Sequence, residues 1–108
     1  MNAKLTLTEE DARTYASWFR ALADPTRVRL LHLLAREGRP MSVGEIVERA
    51  AVGQSTVSHH LKMLAEVRFV LADKRGASTF YEVNRTCQSV FPDAVRAILG
   101  EQEPAGGC

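Results

Sequence analysis

Gly53-Gln54-Ser55-Thr56-Val57-Ser58-His59-His60-Leu61-Lys62-Met63-Leu64 is the stretch from which the organisation of this chain follows. On a helix, successive residues are about 100° apart, which divides the stretch into two faces. One face carries Val57, Leu61 and Leu64, which is an ordinary apolar face for packing against a core. The opposite face carries small hydroxyls, an imidazole and an ammonium group, and it holds no carboxylate.

The polar face of this helix has the chemistry of a DNA-reading surface. Hydroxyl, amide, imidazole and ammonium groups donate to phosphates and to base edges in the major groove. A solvated helix face ordinarily mixes glutamate with lysine, and this one does not. We therefore interpret the stretch as a DNA-recognition helix. Its predicted contact residues are Gln54, Ser55, Thr56, Ser58, His59 and Lys62.

The adjacent histidines are assigned to different roles. On a helix, His59 and His60 point about 100° apart, so they cannot share a metal ion within one chain. We expect His59 to contact a phosphate or a base, with a merely solvated side chain as the alternative. His60 lies at the edge of the apolar face, where we expect packing or a hydrogen bond to a neighbouring backbone group.

The preceding segment predicts the first half of a helix-turn-helix. Ser42 and Glu45 have the spacing of a capping box, which opens a short helix that ends near Ala50. Residues 51–53 then make a tight connection containing glycine. A helix, a short turn with glycine and a second helix with a polar face are typical of this motif.

The segment after Leu64 predicts a wing. Residues 69–71 and 79–83 are β-rich runs, and the turn-prone residues 73–78 lie between them. This pattern indicates a β-hairpin directly after the recognition helix. Its tip carries Lys74 and Arg75, which we predict to contact the DNA backbone.

Three further helices complete the predicted architecture. One runs from Thr8 to about Ala23, and the next begins with Asp24 at the N-cap and Pro25 at the first helical position. The last starts at position 84 or 86 and stops near Gly100. The predicted fold is mainly α with a small β-hairpin: a winged helix-turn-helix with about five helices and a two-stranded wing. Residues 1–100 form one DNA-binding and dimerisation domain, and residues 101–108 form a flexible C-terminal tail.

The first and last helices carry more apolar surface than one domain needs. The predicted stripe of the first helix is Ala12, Tyr15, Ala16, Phe19 and Leu22, with Trp18 beside it, and that of the last is Phe91, Ala94, Val95, Ile98 and Leu99. The excess predicts a second copy of the chain. A two-fold dimer presents two recognition helices to successive major-groove half-sites, so the expected target is an inverted repeat in double-stranded operator DNA.

Composition limits the alternatives without naming a partner. The chain has 108 residues, a net charge of +1 and 25% charged residues, as expected for one globular domain. Residues 53–86 carry five positive and three negative charges, a weak basic patch that a dimer would double. We find no signal-peptide pattern and no membrane-spanning run, and therefore expect a cytoplasmic protein with no membrane partner. No nucleophile–base pair or paired carboxylates indicate an enzyme.

Two motifs resemble those of a known family. Residues 21–31 read ALADPTRVRLL and residues 54–62 read QSTVSHHLK. In this order they closely resemble the ArsR/SmtB family of bacterial winged-helix metalloregulators, and the resemblance covers roughly residues 10–100. It implies a homodimer that binds operator DNA near metal-resistance or metal-homeostasis genes. It also implies an inducer, usually a metal ion, that lowers the affinity for DNA.

The chain departs from this family where its members bind metal. Residues 41–46 read MSVGEI in place of the Cys-x-Cys motif of soft-metal sensors, and residues 85–100 contain none of the histidines that others carry on the last helix. The effector therefore does not carry over. Nickel and zinc favour imidazole, whereas arsenite favours thiolates. The remaining candidate ligands are His32, Cys87, Asp93 and Cys108, for which the structural alternatives are a packed or rim histidine and a small buried thiol.

The sequence leaves two other functions open. One is a regulator of the same fold without direct metal sensing, which responds to redox state or to a regulatory partner protein, or which activates transcription. The other is a helical protein-interaction adaptor. The absence of carboxylates from residues 54–62 favours DNA binding over the adaptor.

Overall fold

The computed structural model describes residues 7–104 and contains the predicted order of elements. The elements are α1 (Glu9–Ala21), α2 (Pro25–Glu37), β1 (Met41–Ser42), α3 (Val43–Ala50), α4 (Gln54–Glu66), β2 (Val70–Arg75), β3 (Ser78–Val83) and α5 (Arg85–Ile98). The mainly helical fold, the helix-turn-helix of α3 and α4 and the hairpin of β2 and β3 are confirmed. Residues 101–104 follow α5 as exposed irregular chain, and Cys108 lies outside the described residues.

The sheet has three strands, so the prediction of two was incomplete. β1 pairs antiparallel with β3, with Met41 opposite Tyr81 and Ser42 opposite Phe80, and the strand order is β1-β3-β2. A two-residue strand is too short to show the alternation that marks a strand in sequence. Because Met41 is fully buried, this pairing fixes the base of the hairpin to the helical core.

Helices α2 and α3 begin at the side-chain caps that the sequence predicts. The carboxylate of Asp24 accepts hydrogen bonds from the backbone N–H groups of Thr26 (2.8 Å) and Arg27 (3.2 Å). Ser42 and Glu45 close the capping box in both directions, at 3.2 and 3.0 Å. Each bond satisfies an amide of the first turn that has no partner within its helix.

The inner face of α4 packs as predicted. Val57, Leu61 and Leu64 are fully buried. They join a core that also includes Leu30, Leu34, Met41, Ile46, Phe69 and Val70. Since α4 is held by this whole face, its opposite face is presented to solvent with a defined orientation.

The first helix buries a different face from the predicted one. Its buried residues are Tyr15, Trp18 and Ala21, whereas Phe19 of the predicted stripe is 42% exposed. The ring of Trp18 lies 6.1 Å from that of Phe69 and 6.2 Å from that of Phe91. Burying the largest aromatic group outweighs burying the two alanines of the predicted stripe. The helix also ends at Ala21, two residues before the expected end.

Within residues 7–104, no helix has the length and apolar character needed to cross a lipid bilayer.

Candidate nucleic-acid interface

The first turn of α4 has no side-chain cap. Ala51 adopts a left-handed conformation (φ +56°) at the end of α3, and Gly53 is the N-cap of α4. Gly53 supplies no side-chain oxygen to the first turn. The first amide groups of α4 are therefore available to an acceptor from outside, and helix N-termini favour anions such as phosphate.

Three of the predicted contact residues line one groove. Gln54, Ser58 and Lys62 lie four residues apart along α4, which places them in one row on the helix. The row faces residues 42–44 at the start of α3 and residues 77–79 at the tip of the hairpin. The groove encloses about 400 Å³ and is mostly polar. The tertiary structure thus joins the helix, the wing and the start of α3 into one concave surface.

The other three contact candidates flank this row. Ser55, Thr56 and His59 are all exposed on α4. The His59 ring lies 5.7 Å from the ring of His60, but the two side chains differ in environment, since His59 is exposed and His60 is half-buried. Their separation into an outer and an inner histidine agrees with the helical spacing.

The two basic residues of the wing are not equivalent. The Nε of Arg75 donates a hydrogen bond of 2.8 Å to Asp73, and its guanidinium lies 4.6 Å from the centre of the Phe80 ring. Lys74 is exposed and forms no ion pair with any residue in the range 7–104. Lys74 therefore presents a whole positive charge, whereas Arg75 is partly neutralised within the hairpin.

Arg27 is a contact that the sequence analysis did not identify. Its side chain is 9% exposed, and its Nη1 lies 3.1 Å from Nδ1 of His60. The expected backbone partner of His60 is thus replaced by a side chain of α2. The two residues lie 33 positions apart, so no local signal pointed to the pair. The imidazole Nε2 lies 3.9 Å from Asp24, whose pKa is held below its ordinary value chiefly by the hydrogen bond from the Arg27 backbone.

Among residues 7–104, the candidate metal ligands are not gathered into one site. Cys87 is buried, and it lines with His32 an apolar groove between α2 and α5. Asp93 instead forms an ion pair with Arg96 at 3.1 Å. Among residues 7–104, no group of three histidine, cysteine or acidic side chains could hold a metal ion.

Comparisons with known proteins found several regulatory proteins that resemble this chain. Residues 24–71 match the family model described as "Bacterial regulatory protein, arsR family". The chain is 32% identical over 81 residues to the transcriptional repressor SdpR of Bacillus subtilis, covering 75% of this chain and 84% of the relative. It is 41% identical over 95 residues to the "Probable mercury resistance operon repressor" of Streptomyces lividans, covering 88% of this chain and 74% of the relative.

A solved structure shows the same fold. The homodimeric winged helix-turn-helix DNA-binding domain Mb0332 from Mycobacterium bovis superposes with a TM-score of 0.70 at 20% identity, covering 98% of this chain and all of that one. This likeness confirms the winged helix-turn-helix architecture.

Proposed function

Since this chain belongs to the ArsR family of bacterial regulatory proteins, and is a DNA-binding transcriptional repressor rather than an enzyme, we propose that it acts in the cytoplasm as a homodimer on an inverted-repeat operator. An inducer then releases it from the DNA. The operator, the dimer and the inducer are separate parts of this proposal, and each has its own support and its own test.

The groove between α4 and the wing carries the proposal for the operator contacts. Gln54, Ser58 and Lys62 line its helical wall, and none of residues 54–62 is acidic. Side chains of these types read base edges and bind phosphates in the major groove, with the residues nearest the helix N-terminus closest to the bases. Ser55, Thr56 and His59 extend the same contact along the helix, and Lys74 and Arg75 follow the backbone from the wing.

The test of this part is binding to the DNA upstream of the protein's own gene. In fluorescence anisotropy, the wild type should bind a fragment that contains an inverted repeat more tightly than a scrambled fragment of equal length. Gln54→Ala should reduce that preference, because it removes a group that reads bases, whereas Lys62→Ala should weaken binding to both fragments alike. Equal affinity for both fragments would refute an inverted-repeat operator in this upstream region.

The apolar surface of the described chain supports the homodimer. Residues 7–104 extend 57 × 22 × 21 Å, with a radius of gyration of 15.8 Å against about 13 Å for a compact domain of this size. Val28 is 45% exposed, Ile98 44% and Leu99 66%. Val28 also lines an apolar groove of about 290 Å³ between α2 and α5, together with residues that include Leu31 and Phe91. Exposed apolar surface of this extent favours burial against a second copy.

A charge placed in this surface tests the dimer. Val28→Glu should convert the protein to a monomer in sedimentation velocity and weaken operator binding, because a carboxylate would be buried between the copies. Leu71→Glu is the matched control for the sedimentation result alone, since Leu71 is similarly exposed but lies on the wing, where a carboxylate would itself repel DNA. If both variants remain dimers, the groove beside α2 and α5 is not the interface.

A metal ion is the inducer that the relatives suggest. The similar Streptomyces lividans protein is named as a mercury resistance repressor, and His32 and Cys87 of this chain share one groove. Nickel or zinc suits imidazole, whereas arsenite suits thiolate, which the disulfide-bonded Cys87 supplies only after reduction. Because no set of three candidate ligands forms within residues 7–104 of one chain, such a site would draw on both protomers or on residues outside that range.

Calorimetric titration with nickel, zinc, cobalt and arsenite tests the inducer. We expect one of them to bind and to release the operator in the anisotropy assay, and His32→Ala or Cys87→Ser to weaken that binding. Flat traces for all four would refute metal control. A repressor that responds to redox state or to a partner protein would then be the better reading.

A further inference from the structure

Arg27 places a positive charge inside the fold with no carboxylate in direct contact. Its guanidinium is buried, yet within residues 7–104 it forms no salt bridge. It donates instead to four neutral acceptors: through Nε to the carbonyl of Ala21 (2.6 Å), through Nη2 to that of Arg20 (3.3 Å), and through Nη1 to Nδ1 of His60 (3.1 Å) and Sδ of Met63 (3.2 Å). The Asp24 carboxylate attracts this charge at longer range, while the four direct partners of the guanidinium are all neutral.

These contacts join two helices that have different tasks. The carbonyls of Arg20 and Ala21 belong to the last turn of α1, where helical carbonyls lack partners within the helix. His60 and Met63 lie one turn apart on α4. Arg27 itself is held at the start of α2 by the Asp24 cap. One side chain therefore links the end of α1 to the helix that carries the proposed DNA contacts.

The link requires one protonation state of His60. Because Nδ1 accepts from Arg27, the ring proton sits on Nε2, which faces Asp24 at 3.9 Å. The other ionisable group beside this ring is His59, on the same helix. A second proton on Nδ1 would set an N–H group against the N–H of the guanidinium. Two donors cannot bond, and two positive charges would then repel each other.

We propose that Arg27 is a positioning residue for DNA binding: held by the end of α1, it fixes the rotation of α4 through the neutral imidazole of His60. This inference rests on the proposed operator binding. Residues that read bases must be held to within about 0.5 Å of their productive position. The buried face of α4 sets its overall orientation, and the Arg27 contact restricts the small rotations that remain, which displace the outer side chains of Gln54 and Ser58 most. Loss of the link therefore weakens operator binding in a protein that remains folded.

Two substitutions at His60 test the link. His60→Asn keeps an acceptor near the position of Nδ1, whereas His60→Leu keeps volume and removes the acceptor. We expect His60→Leu to bind the operator about 10-fold more weakly than wild type, because binding must then restore the orientation of α4 that the link sets in the free protein, at a cost of roughly one hydrogen bond to a charged group. His60→Asn should remain within about 3-fold of wild type.

Rescue by asparagine separates positioning from ordinary packing. Asparagine restores the acceptor but not the volume of the ring, whereas leucine restores volume but no acceptor. A histidine needed only for packing would therefore leave His60→Leu closer to wild type in operator affinity than His60→Asn.

Arginine variants complete the test. Arg27→Met should weaken operator binding about 10-fold, while Arg29→Met, at an exposed position of the same helix, should not change it. Circular dichroism and sedimentation establish that each variant is folded and has the wild-type oligomeric state. If Arg27→Met does not fold, the two His60 variants decide the question.

Operator affinity of His60→Asn at or below that of His60→Leu, or wild-type affinity in His60→Leu, would overturn the positioning role while operator binding by the wild type stands. Failure of the wild type itself to bind the operator would instead refute the proposed function.

Discussion

Replacement of Lys74 by alanine should flatten the salt dependence of operator binding. The Lys74 ammonium is exposed and, within residues 7–104, unpaired, so its whole charge is available to a phosphate. Each neutralised phosphate contributes about 0.9 to the slope of log Kobs against log salt, and the proposed dimer has two wings, so the slope should fall by about 1.8. Between about 0.05 and 0.2 M salt, wild type should lose about 12-fold more affinity than the variant.

The neighbouring residues provide the comparison. Arg75→Ala should change the slope less than Lys74→Ala, because Arg75 is already held by Asp73 at 2.8 Å. Asp73→Asn should release Arg75 and steepen the slope. Arg13→Ala, at an exposed position of α1, is the control for loss of a charge elsewhere. The assay is fluorescence anisotropy of labelled operator at several salt concentrations. A Lys74→Ala slope equal to that of wild type would refute the contact between the wing tip and the phosphate backbone.

Three further predictions concern stability. Leu61→Ala, at a fully buried position, should lower the free energy of unfolding by about 2–5 kcal/mol in urea denaturation, and a smaller loss would show that the core relaxes around the cavity. The side-chain hydrogen bond from Arg39 holds the pKa of Glu45 below its ordinary value, so this stabilisation is present above the ordinary glutamate pKa and is lost as pH falls through the folded-state pKa. Thermal melts of Glu45→Gln should accordingly decline less on acidification than those of wild type, and parallel declines would contradict the assignment. Gly38→Ala should cost about 1 kcal/mol because Gly38 has φ +68°, whereas Gly44→Ala in the first turn of α3 should stabilise by about 0.5 kcal/mol; the reverse order in urea denaturation would be inconsistent with these backbone conformations.

The sequence was a good guide wherever the determining interactions are local. The two faces of α4 follow from the helical period, which is why Val57, Leu61 and Leu64 are buried as expected. The caps at Asp24 and Ser42 join residues two or three positions apart, so they too could be recognised from spacing. The roles of the outer residues of α4 remain predictions, because they depend on DNA.

The candidate site depended more on the tertiary structure. The sequence placed contact residues on α4 and on the wing but could not show that Gln54, Ser58 and Lys62 share one groove with the hairpin tip. Nor could it distinguish Lys74 from Arg75, since the contact between Arg75 and Phe80 requires the pairing of β2 with β3. The absence of the family's metal-binding motifs was visible in the sequence. Residues 7–104 bring together no other group of three side chains that could hold a metal ion.

By itself, the sequence determined the helices, the hairpin and the chemistry of the reading face, because period, capping and side-chain type are properties of short segments. Only the tertiary structure decided that Trp18 lies at the centre of the buried face of α1, that Met41 and Ser42 add a strand, and that His60 bonds to Arg27. Each of these results depends on residues far apart along the chain. The packing of whole helices and strands decides which apolar or polar groups come into contact. The spacing of residues within one short segment does not contain that information.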